Sequence, residues 1–232
     1  MRPLALVATA MLGMMPIATH AADRPVVVEL FTSQGCSSCP PADRYMHELV
    51  KSDDVIGLSW HVDYWDYIGW KDVFASPEFT NRQRYYAQAM DERMIYTPQM
   101  VINGEEHAVG SDRTAVTELL MKHGKSAPEI ELVAAKNGGS VSIEAEFLDR
   151  PSGRFDVHLV QYSPSETVKV LRGENAGETL TYTNVVRVWQ DLGNWNGRRA
   201  LNLDADIDPD LAVVVMIQEA NYGTVIAAVD VQ

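Results

Sequence analysis

The sequence predicts an α/β domain followed by a smaller antiparallel all-β, sandwich-like domain, and three observations carry that prediction. The first is a buried strand, 26–31, that runs through Ser33-Gln34-Gly35 into Cys36-Ser37-Ser38-Cys39-Pro40-Pro41, where two prolines fit only a helix start. The second is the order strand, helix, strand across residues 26–60, which favours a right-handed parallel crossover. The third is a change at residue 124, beyond which short runs alternate apolar and polar residues between turns.

Residues 1–22 read as a secretory signal peptide, with Arg2 ahead of an apolar run from Leu4 to Ile17 that ends in small residues. Gly13 and Pro16 interrupt that run, which falls short of the ~20 apolar residues a bilayer span needs. Cleavage near Ala21 or Ala22 would leave the mature chain periplasmic or secreted, where paired cysteines persist as a disulfide. No later stretch is long and apolar enough to form a transmembrane segment. The net charge goes from −13 to −14 on cleavage, because Arg2 is the only charged residue in 1–22. So acidic a chain excludes nucleic acid and anionic membrane surfaces as natural partners.

Residues 23–124 form the predicted α/β domain. Tyr45, Met46, Leu49 and Val50 give residues 42–50 one apolar helical face, and 55–60 is a second strand. The C-terminal ends of both strands then lie at one sheet edge, where open α/β sheets build their sites, and this brings His61 to Asp66 towards Cys36. Residues 66–96 are an aromatic and helical insertion, its helix opened by Ser76-Pro77-Glu78. Strand 97–102, the Asn103-Gly104 turn and strand 105–109 make a hairpin, and Ser111 or Asp112 caps a last helix through His123.

Gly124 to Pro128 is the predicted linker, and residues 125–232 are the β domain. Its expected strands cover 130–134, 141–147, 155–162, 167–171, 185–189, 212–218 and 225–231.

Both cysteines of the chain sit in the C-x-x-C. A helix N-terminus favours the Cys36 thiolate, and Cys39, one turn in, is placed to resolve a mixed disulfide. Pro40 and Pro41 take two donors out of that first turn and weaken the effect. Zinc would need four ligands, and the chain has neither a second C-x-x-C nor H-x-x-x-H, so no metal and no cofactor is expected. Glu29 follows three apolar residues. Unless paired it would be protonated by desolvation, and a raised pKa would let it deprotonate Cys39. Pairing with a lysine or water is the weaker reading, because the neighbouring segment offers few cations.

His61 and Asp63, two apart on a strand end, point to one face and form a candidate pair beside the dithiol; packing for His61 and plain hydrogen bonding for Asp63 are the alternative. Trp60, Tyr64, Trp65, Tyr67 and Trp70 are core or lid residues, or else walls of an apolar substrate groove. Asn175, Asn184, Arg187 and Trp195 are candidates for a loop surface near the dithiol, although β-domain turns use the same residue types.

The order of strand, C-x-x-C, helix, strand, Thr97-Pro98, strand, Asn103-Gly104, strand and helix resembles the thioredoxin fold over residues 24–123. The resemblance implies that Pro98 is a cis-proline facing the dithiol and that the Thr97 backbone pairs with a bound substrate chain. It further places Glu29 near the buried acid of such proteins, one residue further from the first cysteine. Ser37-Ser38 departs from the residue pairs of the known reducing and oxidising members. A more specific resemblance is to a family of secreted bacterial thioredoxin-like proteins designated only as a domain of unknown function. The motifs that carry it are residues 29–43, His61 to Asp72, Thr97-Pro98-Gln99, 173–180 and 184–187.

The sequence therefore points to an exported thiol–disulfide oxidoreductase acting on protein thiols or disulfides. In that reading Cys36 attacks, Cys39 resolves, Glu29 moves the proton, Thr97-Pro98 positions the substrate, and His61, Asp63 and Trp65 edge the site. Two other classes remain open, a Cu(I)-binding protein with His61 as third ligand and a binding scaffold with an inert disulfide.

Overall fold

The computed structural model describes residues 19–20, 24–124, 129–149 and 153–231. In chain order the elements are β1 (Thr19–His20), β2 (Val26–Thr32), α1 (Pro40–Leu49), β3 (Val55–His61), a 3-10 turn (Asp66–Ile68) and α2 (Pro77–Ala89). They continue as β4 (Gln99–Ile102), β5 (Glu106–Val109), α3 (Arg113–His123), β6 (Ile130–Asn137), β7 (Ser140–Phe147) and β8 (Phe155–Lys169). The chain closes with β9 (Thr179–Trp195), β10 (Leu201–Asp206), β11 (Ala212–Glu219) and β12 (Val225–Val231). The expected signal peptide and linker lie outside the described residues, apart from Thr19–His20, which pair with Ala134 and Val133, and Gly124.

The fold class predicted above is corrected by the structure. Strands take 45% and helices 18% of the described residues, so the protein is mostly β and not a clear thioredoxin α/β fold with an all-β domain appended. One mixed sheet runs β12-β11-β8-β9-β3-β2-β4-β5, and a smaller sheet runs β1-β6-β7-β10. The two halves of the chain join where β3 meets β9 in parallel at Ser59 and Val185. The Ser59 hydroxyl donates to the Thr183 carbonyl at 2.8 Å, and the Asn184 amide donates to the Gly57 carbonyl at 2.9 Å.

The physical reason lies in β11. Residues 212–218 are buried without a break, Val213, Val215 and Ile217 in one apolar cluster and Ala212, Val214 and Met216 in another. A strand buried on both faces needs cover on both, which a small two-sheet domain supplies on one face only. The first cluster packs the small sheet onto β8, β11 and β12. The second draws in Val27, Phe31, Trp60, Phe79 and Tyr86, so residues from both halves share a core. A third cluster seats α1 and α3 on Val26, Val28 and Leu30 of β2.

Local signals are obeyed within this frame. β2 and β3 are parallel, and β4 and β5 return antiparallel around Asn103 and Gly104, both at positive φ. The Ser76 side chain accepts from Glu78 N at the start of α2, and Asp112 accepts from Ala115 N at the start of α3. β8 is one strand of 15 residues where two short runs are expected, because Ser163 to Glu166 continue the ladder with β9.

Candidate active site

β2 ends at Thr32, and the chain turns through Ser33, Gln34 and Gly35 to reach α1. Cys39 is the N-cap residue of that helix, its carbonyl accepting from Ala42 N at 2.9 Å and Asp43 N at 3.1 Å. No side chain caps it, and Pro40 and Pro41 bring no N–H. Cys36 and Cys39 form a disulfide with an S–S distance of 2.09 Å and a Cα–Cα distance of 5.4 Å. Both cysteines are at 0% exposure, whereas Ser37 and Ser38 between them are exposed.

Thr97-Pro98 is a cis peptide bond, as the resemblance implied. A chain of contacts ties it to the dithiol. Gly35 is packed so closely on Trp65 that an added carbon would lie 3.1 Å from its Cβ, and the Trp65 indole N–H donates to the Thr97 hydroxyl at 2.7 Å. On the other side a carbon added at Gly110 would meet Ala42 at 3.1 Å, Leu30 at 3.2 Å and Pro98 at 3.3 Å. Pro98 is therefore beside the first turn of α1.

Glu29 is placed differently from expectation. Alternation along β2 puts it with Val27 and Phe31, on the face opposite to α1. There Arg82 of α2 donates to both its oxygens, Nε at 2.6 Å and Nη2 at 2.8 Å, and the Tyr86 hydroxyl donates to it as well. Arg82 is itself stacked among Trp60, Tyr86, Trp189 and Tyr222. The cation that 26–35 lacked comes from 53 residues away.

The buried acid at the start of α1 is Asp43, which the sequence reading did not single out. It is buried on α1 one turn past Cys39, and the Thr32 hydroxyl donates to it at 2.8 Å. Burial pushes its pKa up to about 7, against the opposing pull of the Thr32 hydrogen bond and the His61 charge. The only sequence signal for it was the carboxylate in the first turn of an otherwise apolar helix face.

His61 and Asp63 do not pair. Asp63 accepts from the Thr80 hydroxyl of α2 at 2.5 Å. His61 Nδ1 donates to Asp72 at 2.7 Å, its ring 4.6 Å from that of Tyr182 and 5.3 Å from that of Phe74. Burial raises the Asp72 carboxyl, but the His61 charge and bond and the Gln34 and Phe74 N–H groups outweigh it and hold it below the usual value. The other His61 nitrogen, Nε2, and the Tyr182 hydroxyl are buried without a hydrogen-bond partner among the described residues. Burial, with the charges of Asp43 and Asp72, pushes the Tyr182 hydroxyl up. Asp72 also anchors the turn before Cys36 through Gln34 N at 2.8 Å.

Of the four β-region candidates, one reaches the dithiol. Asn175 Nδ2 donates to the carbonyls of Gln34 at 2.9 Å and Cys36 at 3.0 Å, and its neighbour Glu174 accepts from Ser37 N at 3.3 Å. Asn184 joins β9 to β3, Arg187 pairs with Glu166 at 3.2 Å, and Trp195 lies in the core beneath the small sheet. Among the described residues no group of three His, Cys, Asp or Glu side chains is placed to hold a metal ion, and no helix is long and apolar enough to cross a membrane.

A fold with a disulfide at a helix start beside a cis-proline defines a dithiol-type site held on a mixed β sheet. Residues 27–218 match the family described as "Protein of unknown function (DUF1223)", and the chain belongs to that family. It is similar to the crystal structure of protein AGR_C_4864 from Agrobacterium tumefaciens, at 30% identity and a TM-score of 0.77, over 90% of this chain and 94% of that one. A fold likeness extends to HBP35 of Porphyromonas gingivalis, at 14% identity and a TM-score of 0.64, over 90% of this chain and 74% of that one. No curated protein matches the chain significantly.

Proposed function

We propose that this protein is an exported thiol–disulfide oxidoreductase whose dithiol chemistry is related to that of the thioredoxin-like superfamily. The observation that carries the reading is the Cys36–Cys39 disulfide at the start of α1, with cis Thr97-Pro98 beside the same turn and a buried Asp43 that titrates near 7. In the reducing direction the Cys36 thiolate attacks one sulfur of a partner disulfide, the partner's other sulfur leaves as a thiolate, and a mixed disulfide forms. Cys39 then gives its proton to Asp43 and attacks Cys36 Sγ, which releases the second partner thiolate. Two electrons have passed from the dithiol to the partner, and the Cys36–Cys39 bond is restored. In the oxidising direction a partner thiolate attacks the disulfide and the same steps run backwards.

Asp43 takes the proton role that sequence reasoning assigned to Glu29, since Glu29 is held by Arg82 on the other face of the sheet. Reduction of insulin by dithiothreitol and refolding of reduced RNase, each run beside the Cys36→Ala variant, test the reading. Faster exchange with the natural protein supports it, and equal rates for the two proteins would sink it.

A further inference from the structure

The nine-residue tip of the β8–β9 hairpin, residues 170–178, is closed at its base by Val170 N to Glu178 O and Gly177 N to Val170 O, both 2.9 Å. Gly173 and Gly177 turn it at positive φ. From residue 171 to 178 the side chains are exposed or half-exposed with one exception, Asn175 at 7%. That side chain spends its amide on Gln34 O and Cys36 O, while Glu174 satisfies the N–H of Ser37. Gly173 rests near Trp70 and Ile68, with the nearest atom 3.4 Å from an added carbon. Cys36 and Cys39 are both fully buried, and thiol–disulfide exchange requires an attacking sulfur to reach one of their sulfurs in line.

We propose that the hairpin tip is a cover over the dithiol, latched by Asn175 with help from Glu174, which must lift before a thiol or disulfide partner can react. The inference rests on the exchange reading of this site. A few polar contacts and one buried side chain hold the tip, so it can open while the paired ladder of β8 and β9 below Val170 stays intact. When opening is fast, the rate of attack on the sulfurs follows the population of the open form. The latch therefore slows exchange in both directions by the same factor and leaves the equilibrium between dithiol and disulfide unchanged.

The test is reduction of the full mature chain's disulfide by dithiothreitol, followed by reoxidation with oxidised dithiothreitol. Loss of two hydrogen bonds in Asn175→Ala is expected to raise both rates about tenfold, with their ratio unchanged. Glu174→Gln should raise both by a smaller factor. Replacing residues 171–177 with Asn-Gly on the paired Val170–Glu178 base should raise both at least as far as Asn175→Ala, and serves if that variant fails to fold. Unchanged rates in the tip replacement overturn the cover, and so does a rise in one rate alone, which would make Asn175 a tuner of the redox balance. Because the readout is a small dithiol, it stands apart from the protein-substrate assays: failure there with faster reduction here would remove the exchange function and keep the cover.

Discussion

Arg82 holds both oxygens of Glu29 in a fully buried ion pair, at 2.6 and 2.8 Å, between α2 and the central strand β2. Removal of one partner leaves an uncompensated buried charge. Arg82→Met is expected to destabilise the protein by about 3–5 kcal/mol, and the double variant Glu29→Leu with Arg82→Met to recover much of the loss. Urea unfolding measures both. Glu29→Gln, if folded, should keep the pH profile of exchange, since the carboxylate faces away from α1.

Asp43 makes a pH prediction of definite sign. Its pKa is about 7 in the folded chain against an ordinary value of 3.8, and the groups that face it are Thr32, His61, Asp72, Arg44 and Tyr182. Between those values the folded state holds a proton that the unfolded chain has released, so this group's stabilisation is complete below pH 4 and is lost as pH rises through 7. Asp43→Asn should remove that downward slope and be more stable than the natural protein at pH 8, as read from urea midpoints across the range. The same variant should flatten any rise in exchange rate near pH 7.

Gly104 reports on the junction between the N-terminal hairpin and the last strands. It has φ +73°, and a carbon added there would stand 2.5 Å from the Gly223 carbonyl oxygen. Gly69 has φ +93° with nothing within 4 Å. Gly69→Ala should therefore cost only the backbone strain, about 1 kcal/mol, and Gly104→Ala about 3 kcal/mol or more, in thermal or urea unfolding.

The Thr97 hydroxyl is the acceptor for the Trp65 indole. Thr97→Val keeps the shape and leaves that N–H without its partner, at a cost of about 1–2 kcal/mol. Thr97→Ser restores the acceptor. Under the proposed function, exchange should slow in Thr97→Val and recover in Thr97→Ser, because the bond aligns Trp65 between the cis-proline and Gly35.

Much of this protein's local structure is legible in its residues. The strand into the dithiol, the prolines at the start of α1, the caps Ser76 and Asp112 and the Asn103-Gly104 turn each act within a few positions, and backbone sterics and nearby hydrogen bonds suffice to set them. The fold class was not legible in the same way. An alternating run looks the same whether its ladder partner belongs to a small sandwich or extends a sheet already begun. The continuous apolar run 211–217 was the one signal that both faces of β11 need cover.

The site divides along the same line. Sequence alone determined that the C-x-x-C runs into a helix start and that Thr97-Pro98 belongs to a strand entry, since spacing and proline geometry are local, but both cysteines precede α1, with Cys39 at its N-cap and not one turn in. Only the tertiary structure decided which acid is buried in the first turn of α1, which cation neutralises Glu29 and which side chain of the β8–β9 tip reaches the dithiol turn. Those assignments turn on partners 53 and 139 residues away, Arg82 for Glu29 and Asn175 for Cys36, and the burial of a charge or an amide is a property of the packed chain, not of its neighbours in sequence.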